Sequence, residues 1–257
     1  MKTKELSLNK AKYNEDLIYL KKYIKEYNLT ASDYQKYLEK LPTSLPIQYL
    51  IGNVNFYGYQ IKVNESVLIP RFETELLVEK TINKINRYFP SKKIDIIDLG
   101  TGSGCIAITL KKELNSNVYA LDISLEALNI AKDNAKLNNA EITFINDDMD
   151  TYKEKKFDVI ISNPPYINPD EEIMPLVKDN EPSIALYAKD KGLYHYEQII
   201  KNLKYLTKEN YLLAFEIGYN QAESIKNIAN KYLTNINISL EKDYQDKERF
   251  IFITNIK

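Results

Sequence analysis

Two hydrophobic periods divide this chain. From residue 5 to 41 the spacing is helical: Leu17, Leu20, Ile24 and Tyr27 fall on one stripe and Tyr34, Tyr37, Leu38 and Leu41 on another, which predicts two or three helices. Ser32 and Gln35 read as a capping box within that run, and Pro42 as its stop. Residues 42 to 46 read as a linker. NVNFYGYQIKV, 53 to 63, then alternates on both sides of Gly58, a hairpin signal that joins the helical part to the remainder of the chain. After Pro70 a helix begins near Glu73, with Glu73 and Glu75 suited to the positive end of its dipole. Helix-end electrostatics is the expected role of Arg71 and Glu75, with a ligand pocket as the alternative.

Beyond that point short apolar runs at 94–99, 117–122, 142–146, 157–162, 211–217, 235–240 and 249–255 alternate with helical stretches. This pattern is α/β and predicts a mostly parallel sheet. Only DYQDKE separates the last two runs, so they are expected to pair antiparallel at one edge. The resulting division is a helical part at 1–45, a linker with the hairpin at 46–70, and a larger α/β part at 71–257.

Composition narrows the function classes. The 257 residues, 44% hydrophobic, suffice for one catalytic domain and a small accessory one. No apolar run approaches the roughly 20 residues of a membrane helix, and MKTKELSLNK lacks a secretory core, so a cytoplasmic chain is expected. One Cys and one His argue against a disulfide framework and a His-based metal cluster. Cys105 is expected in the core and His195 at the surface. With 35 basic and 36 acidic residues the net charge is −1, without the cationic footprint of a strong nucleic-acid binder. A monomer is expected.

The candidate chemistry lies at the ends of the apolar runs. FDVIISNPPY, 157 to 166, ends a strand in Asn163, Pro164, Pro165 and Tyr166. Asn163 offers a side-chain carbonyl, and Pro164 offers a backbone carbonyl with no N–H of its own, so two acceptors can converge on one planar NH2 group while Tyr166 covers its flat face. Holding both N–H bonds favours a pyramidal, electron-rich nitrogen, as alkylation of an amide or aromatic amine requires. Asn is no base, so the proton is expected to leave to solvent.

IDIIDLGTGSGCIAI reads as a buried strand, a turn through Gly100, Thr101, Gly102, Ser103 and Gly104, and a helix from about Ser103. A dinucleotide fingerprint would place its third glycine at 105, which is Cys. Asp122 ends the next strand where such folds hold a ribose. Asp147, Asp148 and Met149 follow the third strand and suit the edge of an adenine ring. Asp98 either orients the glycine turn or faces a ligand ammonium. Jointly these features specify S-adenosylmethionine.

Several segments carry a resemblance to one family: QYLIGNVNFYGYQIKVNESVLIPRFETELLVE at 48–79, DLGTGSGCIAI at 98–108, SNPPYI at 162–167, NEPSIALYAKDKGLYHY at 180–196, FEIGYNQ at 215–221 and DYQDKERFIF at 243–252. The chain resembles the protein-(glutamine) methyltransferases that modify peptide chain release factors. The resemblance implies a class I S-adenosylmethionine-dependent methyltransferase, Rossmann-like with a seven-stranded mostly parallel sheet, behind a small N-terminal helical domain that docks the substrate. It implies that Gly100 to Gly104, Asp122, Asp148, Met149 and Asn163 meet the cofactor. By the same token, Asn163 to Tyr166 hold the glutamine of a Gly-Gly-Gln loop. Phe72 stands where the family usually has a second proline, Met149 where an aromatic is frequent, and YAKDKGL at 187–193 lacks a glycine pair. The first two keep apolar bulk; the third puts the shape of a substrate-side loop in question. Phe215, Glu216 and Arg249 are expected to brace the structure. The competing readings are methylation of an adenine amino group in nucleic acid, and a non-catalytic scaffold that binds the cofactor and docks a translation factor.

Overall fold

A computed structural model describes residues 2–27, 29–41, 44–90 and 92–257, with side chains from residue 12 onward. Helices α1 (Lys2–Glu26), α2 (Ala31–Leu38) and α3 (Ile47–Ile51) close around Leu20, Tyr23, Leu41, Ile47 and Ile51, with Leu17, Ile24, Tyr27, Tyr34 and Tyr37 packed against them. Two details differ from the sequence reading. The capping box is Thr30 and Asp33, because extended Thr30 accepts from the Asp33 N–H while the Asp33 carboxylate accepts from the Thr30 N–H at 2.9 Å; Ser32 already lies inside the helix. Helix α3 occupies part of the expected linker, and the stop assigned to Pro42 lies outside the described residues.

Strands β1 (Asn53–Phe56) and β2 (Tyr59–Lys62) form the expected hairpin. Its two turn residues, Tyr57 and Gly58, have φ of 53° and 84°, the left-handed pair that matches the twist of the flanking strands. Then come α4 (Phe72–Tyr88), β3 (Asp95–Leu99), α5 (Cys105–Glu113), β4 (Asn117–Asp122), α6 (Leu125–Leu137), β5 (Ile142–Asn146) and β6 (Phe157–Ser162). The remainder is α7 (Pro175–Lys178), the tight turn α8 (Lys189–Gly192), α9 (Tyr194–Leu206), β7 (Thr207–Glu216), α10 (Ala222–Tyr232), β8 (Asn237–Lys242) and β9 (Glu248–Thr254).

The seven main strands lie in the order β5-β4-β3-β6-β7-β9-β8. The first five run parallel, and β9 pairs antiparallel with both β7 and β8, as the short DYQDKE connection requires. Core residues from α4, α5 and α6 cover one face, and those from α9 and α10 the other. Chain order reverses between β3 and β6, the crevice where open α/β sheets bind ligands. Opposite that crevice, buried Asp158 accepts from Lys92 at 2.8 Å, from Lys208 at 2.7 Å and from the Asp95 N–H at 2.9 Å, which pins the amino ends of β3 and β6.

The hairpin is fastened to the crevice through one buried side chain. Asn134 of α6 accepts from the Lys62 N–H at 2.7 Å and donates to the Lys62 and Ser103 carbonyls, each at 2.9 Å. Helix α1 holds the other side, where Asn55 Nδ2 donates to Glu26 at 2.7 Å.

The segment in question at 187–193 follows a left-handed path: Asp190, Lys191 and Gly192 have φ of 54°, 56° and 82°. A Cβ at Gly192 would collide with the Tyr166 carbonyl oxygen, so this turn is the back wall of the Asn-Pro-Pro-Tyr loop. Lys191 bears side-chain strain where glycine would be relaxed. Lys191→Gly should raise unfolding free energy by about 1 kcal/mol in urea titrations, and Gly192→Ala should lower it by at least about 2 kcal/mol.

Two carboxylates lie buried at strand carboxyl ends, Asp98 on β3 and Glu216 on β7. Loss of hydration pushes each up to about 7, opposed by one hydroxyl donor apiece, Thr101 to Asp98 and Thr74 to Glu216. Unfolded carboxylates titrate near about 4. The folded chain therefore binds the extra protons between about 4 and 7, and stability contributed by these groups declines as pH rises through that window. Melting of the ligand-free protein should fall from pH 5 to 7.5, and Asp98→Asn should flatten the slope.

Candidate active site

Parallel register delivers the candidate residues to one level. Leu99 pairs with Leu121 and Asp98 with Ile161, so Gly100 and Asn163, just past their strands, emerge beside Asp122, the last residue of β4. Asp122 pairs with Asn146, which places Asp148 and Met149 just beyond the same edge. Gly100, Thr101, Gly102, Ser103, Asp122, Asp148, Met149 and Asn163 all line a single cleft.

Gly104 is the exception among the expected cofactor residues. It caps α5 at φ 82°, and a Cβ there would sit 3.0 Å from the Ala131 Cβ, so helix packing against α6 demands this glycine. The helix begins at Cys105, two residues later than the sequence suggested, because Gly102 and Gly104 both take left-handed conformations. Cys105 is buried as expected but also borders the cleft.

The glycine turn and the acid support each other. Gly102 N–H donates to Asp122 Oδ2 at 2.8 Å, and Ser124 N–H donates to Asp122 Oδ1 at 2.9 Å. Both oxygens keep lone pairs for a further donor, and burial pushes this carboxyl above the usual range. Asp98 accepts from Thr101 at 2.6 Å, which orients the turn; its Oδ1 is buried without a hydrogen-bond partner among the described residues. Next to Asp148 and Met149, His195 Nδ1 lies 2.9 Å from Asp150 Oδ1, and both residues line the cleft. His195 is thus a cleft residue, contrary to the surface position expected of it. Asp147 does not line the cleft, and its carboxylate accepts from the Asp148 N–H at 2.7 Å.

A second, smaller cavity opens on the other side of Asn163. Leu68, Arg71, Pro164, Tyr166 and Glu216 line it. Pro165 lies on the cleft side, and Asn163 borders both spaces. The loop carrying these residues is held from behind: Ile167 N–H donates to Leu186 O and Ala188 N–H to Ile167 O, each at 3.0 Å, and Gln221 Nε2 donates to Tyr166 O at 2.9 Å. Burial drives the Tyr166 hydroxyl well above its ordinary range, so it stays protonated and remains a donor.

Three further residues reach the site: Arg71, for which a ligand pocket is the alternative role, and Thr74 and Glu216, for which no pocket role is expected. Arg71 lines both spaces and pairs with Glu181, which also accepts from the Ile69 N–H at 3.1 Å; helix-end electrostatics is not its main environment. Glu75 does not line the cleft; burial raises its carboxyl, opposed by a hydrogen bond with the Tyr57 backbone. Thr74 accepts from Asn163 Nδ2 at 3.1 Å and donates to Glu216 Oε2 at 2.7 Å. Glu216, expected only to brace the sheet, therefore belongs to the wall of the second cavity. Arg249 does brace it, donating to Ile217 O at 3.2 Å and to Asp243 at 3.4 Å. Phe72 lies exposed at the start of α4, its ring stacked on Tyr244 at 5.6 Å.

Residues 72–179 match the family described as Methyltransferase small domain. A release factor glutamine methyltransferase of Bacillus anthracis is 39% identical over 228 residues, covering 86% of this chain and 80% of that one. Its counterpart of Bacillus cereus is 39% identical over 226 residues, covering 85% and 80%. Among solved structures, a methyltransferase from Pyrococcus furiosus superposes with a TM-score of 0.55 at 16% identity, over 78% of this chain and 91% of that one, which shows a shared fold. Strand order, cleft and sequence agree: this chain belongs to the release factor glutamine methyltransferase family.

Proposed function

We propose that this chain transfers a methyl group from S-adenosylmethionine to the side-chain amide nitrogen of the glutamine in the Gly-Gly-Gln loop of peptide chain release factors. The observation that carries this reading is the position of Asn163, which borders both the cleft and the second cavity. A donor in one space and an amide in the other would meet at its side chain.

The residues present fit S-adenosylmethionine. Asp122 offers two carboxylate oxygens with spare lone pairs to vicinal ribose hydroxyls, and the apolar side chains of Ile123 and Met149 border the cleft where a flat ring would lie. The glycine turn leaves backbone open to the ligand at Gly102, where a Cβ would meet nothing within 4 Å. The Asp98 carboxyl behind that turn keeps an acceptor oxygen, Oδ1, without a partner among the described residues. Bound there, S-adenosylmethionine supplies an electrophilic methyl group.

On the substrate side, the Asn163 side-chain oxygen and the Pro164 carbonyl accept the two hydrogens of the target NH2 group. Pro164 brings no N–H that would compete for its own acceptor. Withdrawing both hydrogens into bonds outside the amide plane localises the nitrogen lone pair, so the residues act by binding the reacting geometry better than the resting one. Tyr166 closes the flat face of the amide, and the proton leaves to solvent. The α1–α3 unit, at residues 1–45 and the start of the linker, is the proposed docking part. It abuts the wall of the cleft through Tyr49, whose hydroxyl donates to the Val67 carbonyl at 2.6 Å. A translation-factor substrate implies a cytoplasmic enzyme, and among the described residues no helix is long and apolar enough to cross a membrane.

Purified protein incubated with radiolabelled S-adenosylmethionine should label a release factor at its Gly-Gly-Gln glutamine, located by peptide mass spectrometry. Label on tRNA, rRNA or DNA with none on release factor would assign the site to adenine instead, and cofactor binding without transfer would make the chain a scaffold. Asn163→Ala should lower kcat by about 100-fold or more with the cofactor Kd changed by less than about threefold. Asp122→Ala should reverse that pattern, weakening cofactor binding by about 10- to 100-fold in calorimetric titration.

A further inference from the structure

An Asn side chain is ambiguous at a site that needs an acceptor, because its carboxamide presents oxygen on one side and NH2 on the other. Rotating it by half a turn would replace the acceptor facing the target amide with a donor. Such a flipped Asn163 would repel the NH2 group it is meant to hold. Something must therefore fix which way Asn163 points, and the bonds around it identify that element.

Asn163 Nδ2 lies 3.1 Å from Thr74 Oγ1, and Thr74 Oγ1 lies 2.7 Å from Glu216 Oε2. Thr74 is 3% exposed and Glu216 2%, so water does not compete for either contact. A hydroxyl has a single hydrogen to give. Once Glu216 is ionised, above the pH of about 7 to which burial raises it, its oxygen carries no hydrogen, so Thr74 commits its own to Glu216 and is left able only to accept. The group of Asn163 that meets it is then the NH2, and Oδ1 is left toward the reaction space, with no donor from the described residues bonded to it. The sheet enforces the arrangement, since Ser162 pairs with Phe215 and so brings the next residues, Asn163 and Glu216, level on neighbouring strands. Thr74 is supplied from the first turn of α4.

Burying Glu216 costs hydration that the charge of Arg249 offsets only in part, because Arg249 directs its hydrogen bonds to Asp243 and the Ile217 carbonyl. A buried acid bonded to hydroxyls, Thr74 at 2.7 Å and Tyr166 at 3.5 Å, rather than to a cation suits orientation better than stability. We propose that Thr74 is a positioning residue for methyl transfer, its hydroxyl polarised by Glu216 so that the Asn163 side chain is locked with its oxygen toward the target amide. This rests on the reaction proposed above. The lock acts on the geometry of the reacting nitrogen, so it bears on kcat more than on affinity for either substrate.

The test compares wild type, Thr74→Val and Thr74→Ser. Valine keeps the shape and removes the hydroxyl; serine restores the hydroxyl without the methyl. With release factor and radiolabelled S-adenosylmethionine, Thr74→Val should lower kcat by about 10- to 100-fold while KM for release factor stays within about threefold, and Thr74→Ser should recover most of the loss. In 1H–15N spectra of the cofactor-bound protein, the Asn163 side-chain NH2 pair, assigned with Asn163→Asp, should show slow solvent exchange in wild type and Thr74→Ser. Exchange should accelerate in Thr74→Val. A folded Thr74→Val enzyme with wild-type kcat, a rise in KM alone, or an unchanged Asn163 signal would overturn the proposal. Should Thr74→Val not fold, Thr74→Ala, which admits a water to Glu216, takes its place with the same expectations. If wild type labels no release factor, the reaction assignment fails, and the NMR comparison still decides whether Thr74 orients Asn163.

Discussion

The site depends on the alignment of parallel strands. A slip by one residue sends every side chain of a strand to the opposite face of the sheet, and here each face is packed against its own set of helices, so the register is strongly specified. β3 and β6 are buried on both faces and β4 is half-buried between β3 and β5, so their carboxyl ends are held level to within a residue. A glycine turn, a ribose-type acid and an Asn-Pro-Pro-Tyr loop that are distant in sequence thereby meet around one crevice. β7 extends the same ladder and adds Glu216 beside Asn163.

On that platform the walls are contributed by loops whose own backbone needs are met elsewhere. The segment at 66–71 is tied to Glu181 through Ile69 and Arg71, and to α3 through Tyr49. The Asn-Pro-Pro-Tyr loop is tied to the 186–188 stretch and to Gln221. These bonds keep the loops rigid, which is what a mechanism based on placing two acceptors requires. Lys191 accepts a left-handed conformation in the same wall, where the Tyr166 carbonyl leaves no room at Gly192 for a side chain.

The departures from the family pattern fall where they do least to the chemistry. Phe72 projects from the first turn of α4 onto Tyr244 of the β8–β9 connection, outside both cavities. Met149 lines the cleft and its sulfur lies 3.5 Å from where a Gly100 Cβ would be, so a flexible side chain fills the space beside the turn. Both keep an apolar surface.

Sequence alone determined the strands, the hairpin, the edge pair and the strand-end residues, because each is written in a local period or a short motif. The runs at 117–122, 142–146 and 157–162 coincide with β4, β5 and β6, since fully or half-buried strands are continuous in apolar residues and stop at polar ends. The tertiary structure decided the rest. Gly104 looks like its neighbours in the glycine turn, yet only the approach of Ala131 from α6 shows that it serves packing. Ser32 and Thr30 are both plausible caps, and backbone conformation chose Thr30. His195, Arg71, Thr74 and Glu216 carry no local signature, because what matters about them is what stands opposite, and their partners lie between 45 and 142 residues away along the chain. Local periodicity records which way a side chain faces; which groups it meets there is settled only when helices and strands are packed together.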